Sequence, residues 1–429
     1  MNTYLPWKIV QIDLSQTIPD LSVAPDIQGY YLVYWWREIP LGNQQICASQ
    51  LPMPASQLAD LALQKITPTV LDQLMTLTGQ KNLDFCDLQH LENPLKTIEN
   101  YWLKQQIATD TVSVSVIVCT RDRPEQLKQC LESLQHLNPA PTEIIIVDNA
   151  PTTKATQEMV SHYPQIHYVL EPKPGLSQAR NAGIENSTGT LIAFTDDDVT
   201  VHPRWIAQLR SAFRDPQVMA MTGLVIPQQL ETEAQILFEL VLGCLQGEYQ
   251  SQIFDAQFFQ SHQSRGVPVW TIGAGANMAF RRQVFAQVGN FDPRLGAGAS
   301  GCSEDSELWY RILATGGICH YEPTAVVFHT HRRELSALKQ QMYQYMRGHI
   351  VALLIQFSQY QHWGNLWRLC IALPKHYIGL ALGGIIKGLQ PKHQTWAVEV
   401  LGCLAGVKYY LFCRKGAGEL IPRHQEKVY

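Results

Sequence analysis

The sequence predicts an α/β chain: a mostly parallel sheet in the middle, an α+β unit before it and a helical region after it. Three observations lead there. From Val112 onward, β-rich apolar runs recur (VSVSVIVCT, EIIIVDN, IHYVLEP, TLIAFTD), and the first two are separated by a helix-period segment. Strands alternating with helices favour parallel pairing with right-handed crossovers. Before and after this stretch the texture changes. The chain of 429 residues is also too long for one ordinary domain, so the expected units are residues 1–110, 111–335 and 336–429.

Composition sets bounds. The chain is 46% hydrophobic and 16% charged, with a net charge of −4. This near-neutral balance gives no electrostatic footprint for a nucleic-acid partner. A charged fraction below the usual quarter points to surface that does not all face water. The ten cysteines lack ligand-like spacing, so reduced thiols are expected. The opening MNTYLPWKIVQIDL has no basic stretch followed by an apolar run and cleavage site, so no signal peptide is expected and the protein is placed in the cytoplasm.

The first unit mixes β-like runs such as GYYLVYWWREI (29–39) with a helical pattern near 57–78 and carries no chemical constellation, so it reads as an accessory domain. In the second unit, Pro124 suits a first helical position, and Leu127, Cys130, Leu131, Leu134 and Leu137 fall on one face. TLIAFT is a strand, and Asp196, Asp197 and Asp198 stand at its carboxyl end, where open α/β sheets bind ligands. Three adjacent carboxylates repel one another, so either a solvated turn or a divalent cation must accommodate them. On an extended segment, Asp196 and Asp198 project to one side and can converge. Hard oxygen ligands suit Mg²⁺ or Mn²⁺, which two carboxylates and substrate phosphates commonly hold.

Other strand ends carry matching groups. Thr120 and Arg121 follow the first strand, Asp148 the second, and Arg180 lies on a helix after IHYVLEP. A carboxylate for base N–H donors, a hydroxyl and a guanidinium near phosphate together describe a nucleotide pocket. In GAGASGCSEDSELWYRILATGG (296–317), Glu304 and Asp305 stand at a helix N-terminus, either as a capping pair or, for Asp305, as a general base. His329 ends another β-rich run. Its imidazole is a possible Mn²⁺ ligand, with His331 as the alternative, while Arg332 and Arg333 could hold phosphate oxygens.

VSVIVCTRDRP, EIIIVDNAP, GLSQARNAGI, AFTDDD, GAGANMAFRR, GNFDPRLGAG and SEDSELWYR, in this order and spacing, resemble a glycosyltransferase family 2 domain of the GT-A fold over about residues 113–335. The resemblance implies that Thr120 and Asp148 hold the nucleotide base, with Arg121 on the same donor. It implies that Arg180 lines the donor pocket and that Asp196 and Asp198 form the DxD pair, the first toward ribose and the second on the metal, with Asp197 between them also on the donor. It implies further that Asp305 of the Glu304–Asp305 pair is the catalytic base, with Glu304 on the donor, and that His329 is a second metal ligand. The stretch 273–280, with Gly275 and Asn277, would line donor sugar and acceptor.

The activity so implied is inverting, Mn²⁺- or Mg²⁺-dependent transfer of a sugar from a nucleotide-diphosphate donor, with UDP favoured, to a hydroxyl of a glycan or a lipid-linked or cell-surface precursor. The QxxRW signature of processive synthases does not follow the helix, so transfer of one or few sugars is expected. A nucleotidyltransferase is an alternative, although CTRDRPEQ lacks the Gly-rich basic loop that such an enzyme would show. A non-catalytic sugar-nucleotide or glycan binder is another.

In the last unit, YIGLALGGII (377–386) is too short to span a membrane, and WAVEVLGCLAGVKYYLF (396–412) is broken by Glu399 and Lys408. Trp363, Trp367, Trp396 and Tyr409, with Lys375, Lys387, Lys392, Arg414 and Lys415, resemble interfacial anchors. Two outcomes stay open: a helical subdomain packed on the catalytic unit, or a peripheral anchor on the cytoplasmic face of the inner membrane that brings the site to a lipid-linked acceptor.

Overall fold

A computed structural model describes residues 4–79, 87–109, 112–245 and 247–416. The side chains of Arg414 and Lys415 lie outside the described residues. Strands β1 (Trp7–Asp13), β2 (Gly29–Trp36) and β3 (Ile39–Cys47) form a small sheet in that order. Alternate residues of β2 serve two cores. Leu32, Tyr34 and Trp36 pack on Leu58, Ala62 and Ile66 of the helix Ala55–Thr78. Tyr31, Val33 and Trp35 pack on Leu224, Ile226 and Val326 of the main sheet. Burial on both faces explains why GYYLVYWW is apolar without alternation.

The main sheet comprises β4 (Val114–Thr120), β5 (Glu143–Asn149), β6 (Ile166–Glu171), β7 (Leu191–Asp196), β8 (Val199–Val201), β9 (Val218–Pro227), β10 (Gln252–Phe254), β11 (Asn277–Arg281) and β12 (Ile318–His329). Its order is β10-β12-β9-β11-β7-β4-β5-β6, with β8 paired to β12. The expectation of a mostly parallel sheet holds for β7-β4-β5-β6 and for the β9–β12 pair, and fails elsewhere. β11 runs antiparallel to both β7 and β9, while β9 and β12 pair in parallel, so the sheet is mixed. The loops carrying Gly275 and Asp305 need a reversed strand, because β11 must leave the ligand edge as β7 arrives.

This topology fixes the site. Because β11 is antiparallel to both neighbours, β4, β5, β7, β9 and β12 all point the same way. Their carboxyl ends, including Thr120, Asn149, Asp196 and His329, therefore share one edge with the amino end of β11. Apolar residues fill both faces, Val116, Val118 and Ala193 on one, Ile117, Ile145 and Phe194 on the other.

The helix Leu335–Tyr360 leads to a continuous helical stretch Trp363–Lys387, long and apolar enough by length and composition to cross a membrane. YIGLALGGII is thus only the last part of a longer helix, which corrects its reading as too short. A π-turn at residues 368–372 joins its two parts. The helix Trp396–Gly416 packs closely on Leu335–Tyr360, its Gly402 and Gly406 facing the backbone of Tyr343 and Arg347.

Candidate active site

β7 ends at Asp196 and β8 begins at Val199, so Asp197 and Asp198 occupy a turn rather than an extended strand. The turn brings Asp196 and Asp198 together as expected, for a different reason, and sends Asp197 inward. Asp197 is buried; its oxygens accept from Thr120 Oγ1 at 2.7 Å and from an Arg123 terminal nitrogen at 2.9 Å. Arg123 also reaches Asp198 at 3.3 Å. Thr120 and Asp197, both expected on the donor, thus bind each other and shape the turn. Arg123 completes that support, and the sequence reading gave it no role. Its signal lay in plain sight, two basic residues bracketing Asp122 at a strand end.

Ligand atoms of Asp196, Asp198 and His329 lie within 4.8 Å of one another. His329 and His331 do not compete for this place. His331 is buried; its Nε2 sits 3.0 Å from Glu239 Oε2 and its Nδ1 2.8 Å from His329 Nδ1. A carboxylate only accepts, so His331 carries its proton on Nε2. With both rings neutral, His331 Nδ1 then accepts from His329 Nδ1, and His329 Nε2 keeps its lone pair. Burial, opposed by Asp198, lowers His329 to about 4, which favours that neutral form. Its Nε2 faces Asp198 Oδ1 at 3.4 Å. Two lone pairs this close call for a cation between them, and the O, O, N set fits Mn²⁺ better than the all-oxygen preference of Mg²⁺. Desolvation by burial, joined by Asp198 and Asp197 and opposed by Arg180, pushes the Asp196 carboxyl up to about 7, a crowding that a bound cation would relieve.

Arg180 is buried beside them. One terminal nitrogen donates to Glu304 Oε1 at 2.6 Å, the other lies 3.6 Å from Asp196 Oδ1, and the guanidinium lies 5.8 Å and 5.4 Å from the ring centroids of Phe194 and Phe291. It bridges the DDD turn to the helix Glu304–Ala314. That helix begins after Ser303, whose φ of 70° turns the chain inward. Glu304 Oε2 is buried without a hydrogen-bond partner among the described residues, while Asp305 Oδ1 accepts from the Ser306 backbone at 2.6 Å. Gly275 leaves room here: a Cβ on it would stand 2.9 Å from Asp305 Oδ2 and 3.0 Å from an Arg180 nitrogen, so either side chain would have to shift.

These groups line one cavity of about 960 Å³, which Arg121, Asn149 and Arg332 also line. That is near the upper range for a single drug-sized ligand and leaves room for two reactants. Three expected residues stand elsewhere. Asn277 is fully buried in β11, its amide holding Leu224 O at 3.0 Å and Ala325 O at 2.7 Å while accepting from Trp205 Nε1 at 2.9 Å; it clamps strands and does not touch the cavity. Asp148 is buried off the cavity wall, accepting from Tyr168 at 2.9 Å through one oxygen while the other has no partner among the described residues. Arg333 pairs with Glu231 at the surface.

Residues 115–289 match the family model described as "Glycosyl transferase family 2". Residues 115–289 are a glycosyl transferase family 2 domain. It carries β4 to β11 and the DDD turn, whereas Asp305 and His329 lie beyond the match. Among similar proteins, the glucosyl-dolichyl phosphate glucuronosyltransferase of Haloferax volcanii is 27% identical over 195 residues, covering 43% of this chain and 58% of the relative. The pre-mycofactocin glycosyltransferase of Mycobacterium tuberculosis is 26% identical, covering 52% and 43%. The succinoglycan biosynthesis protein ExoM of Rhizobium meliloti is 28% identical, covering 51% and 67%. The chain thus spans about half the length of the first two relatives. Among solved structures, a mannosyltransferase from Pyrobaculum calidifontis in complex with GDP-Man and Mn²⁺ aligns with TM-score 0.48 at 16% identity, covering 80% of this chain and 99% of that one.

Proposed function

We propose that the chain is an inverting, metal-dependent glycosyltransferase of the GT-A type, moving one or few sugars from a nucleoside-diphosphate donor to an acceptor hydroxyl. The observation that carries this reading is the single cavity in which the Asp196, Asp198 and His329 ligand atoms converge and Asp305 is present. Asp198 and His329, with Asp196 beside them, would hold a divalent cation, which would supply Lewis-acid charge to the departing diphosphate; Asp196 would also face the ribose. Asp305 accepts the proton of the attacking hydroxyl. Arg180, fixed by Glu304, keeps Asp196 and the helix bearing Asp305 in register. One displacement inverts the anomeric centre. Asp148 lends its unpartnered oxygen to a base N–H if Tyr168 and the β5 end part to admit it, the arrangement expected for a uracil base.

The test is turnover of isotope-labelled sugar nucleotides by the full chain. Asp305→Asn should lower kcat by at least about a thousandfold while Mn²⁺-dependent binding of the donor persists. Turnover that survives this substitution, or that chelators leave untouched, rejects the assignment. Nucleotide incorporation from a triphosphate with no sugar transfer would replace it by nucleotidyl transfer.

A further inference from the structure

The cavity that holds the acids also contains a cation with no acid to match it. Arg180 faces Glu304 and Asp196, Arg123 faces Asp197 and Asp198, Arg121 faces Asp122, and Arg332 is open to water. Arg368, in the π-turn of Trp363–Lys387, is half-buried, and among the described residues no carboxylate pairs with it. It is nonetheless firmly placed. Its guanidinium lies 3.7 Å from the centroid of the Trp270 ring, and its Nε donates to His349 Nε2 at 3.0 Å. His349, whose ring meets Trp270 edge-on, is lowered to about 3 by burial and then by Arg368, so it acts as a neutral acceptor. The stem of Arg368 runs against Gly266, where a Cβ would come within 3.1 Å of it.

Of the guanidinium's five N–H donors, only the one on Nε has a partner here; the two terminal amines have none among the described residues. A stacked, oriented guanidinium with unspent donors in a partly dry wall is a site for a planar pair of anionic oxygens. The same helix exposes Ile371, Ile378, Leu382, Ile385 and Ile386 on its outside. An anion reaching Arg368 therefore arrives beside an apolar surface.

We propose that Arg368, held by Trp270 and His349, binds a phosphate group of the acceptor, at a site separate from the cation site at Asp196, Asp198 and His329. The inference rests on the glycosyltransferase reading for the word acceptor, and on geometry alone for the phosphate. It narrows the acceptor to molecules whose hydroxyl is carried on a phosphate. Such a phosphate is either that of a lipid-linked glycan or that of a soluble sugar phosphate.

Calorimetric binding to the full chain separates these cases, with farnesyl phosphate, inorganic phosphate and farnesol as probes. Arg368→Gln should weaken phosphate binding by about ten- to a hundredfold, the scale of charge-assisted hydrogen bonds. Trp270→Leu, at a third-exposed position, should weaken it severalfold by freeing the guanidinium plane. Farnesyl phosphate binding more tightly than inorganic phosphate assigns a lipid source; equal affinities, with the same dependence on Arg368, assign a soluble one. If Arg368→Gln and Trp270→Leu bind both phosphates like the wild type, or if farnesol matches farnesyl phosphate, the site is refuted. Binding of UDP or GDP with Mn²⁺ is measured in parallel: its absence alongside Arg368-dependent phosphate binding would overturn the transferase reading and leave the anion site standing.

Discussion

Every polar atom of the Asn277 side chain is committed at a point where β9 and β12 slip register between Glu322 and Val326. That slip frees the carbonyls of Leu224 and Ala325 from the ladder, and the amide takes both. Asn277→Ala leaves two carbonyls and the Trp205 indole unpartnered, which should cost about 3 kcal/mol in denaturant unfolding. Asn277→Asp should cost more, because it turns an acceptor toward two acceptors; an Asp variant as stable as the Ala one would contradict this role. Gly275 is the opposite kind of residue, important for what it lacks. Gly275→Ala should leave the melting temperature nearly unchanged yet lower kcat by about a hundredfold, since its Cβ must displace Asp305 or Arg180. In sequence, GAGANMAF marked both residues without separating them: small and polar neighbours in one block look alike until the loop before β11 sets Gly275 against Asp305 and Arg180 and the strand itself carries Asn277 into the core.

At the scale of elements, the strand order could not be deduced from local pattern. VIV and III runs announce buried strands, but nothing in them tells that β11 runs backwards, and it is that reversal which delivers Gly275 to the edge holding Asp196 and His329. The turn after β7 was legible as a ligand site through its three acids, while the division of labour among them was not, because Thr120 at the end of β4 and Arg123 in the loop after it decide it. Distance in sequence also hid the support of His329. Tyr31 of β2 lies 3.4 Å from Glu239, Glu239 holds His331, and His331 holds His329, so the small N-terminal sheet reaches the candidate metal site through three side chains. Partners of this kind fix the orientation of a ligating imidazole, and their loss commonly weakens metal binding ten- to a hundredfold. His331→Phe should therefore raise the Kd for Mn²⁺, read by paramagnetic resonance of the free ion, by about that factor, and Tyr31→Phe by severalfold. A folded His331→Phe protein with unchanged Mn²⁺ affinity would sever this connection.

Over the whole molecule, the low charged fraction noted in the sequence finds its place in Trp363–Lys387, where Trp363, Leu382, Ile385 and Ile386 are largely exposed, with Leu389 just beyond. Lys375, Lys387 and Lys392 are exposed in and just beyond this helix, and Trp367 is open as well. An apolar stripe with basic and aromatic neighbours suits the boundary of an anionic bilayer, in which the side chains leave water without the backbone having to cross. Trp396 and Tyr409, expected to belong with them, instead turn toward the protein, Trp396 donating to Tyr377 O at 3.0 Å and Tyr409 packing beside Arg347. The helix Trp396–Gly416 packs one face on Leu335–Tyr360 and leaves Leu401, Leu404, Leu411 and Phe412 exposed on the other, while Trp363–Lys387 presents its own apolar stripe outward. If that stripe meets a membrane, the full chain should float with phosphatidylethanolamine–phosphatidylglycerol vesicles. Replacing Leu382, Ile385 and Ile386 together by Glu should remove about 4 kcal/mol of apolar transfer, roughly a thousandfold in partition. The substituted protein should then stay at the bottom of the gradient with its melting temperature unchanged, since none of the three side chains supports the core. Flotation that persists after the triple change would place the contact elsewhere, and a wild-type chain that never floats would leave the stripe to another protein rather than to lipid.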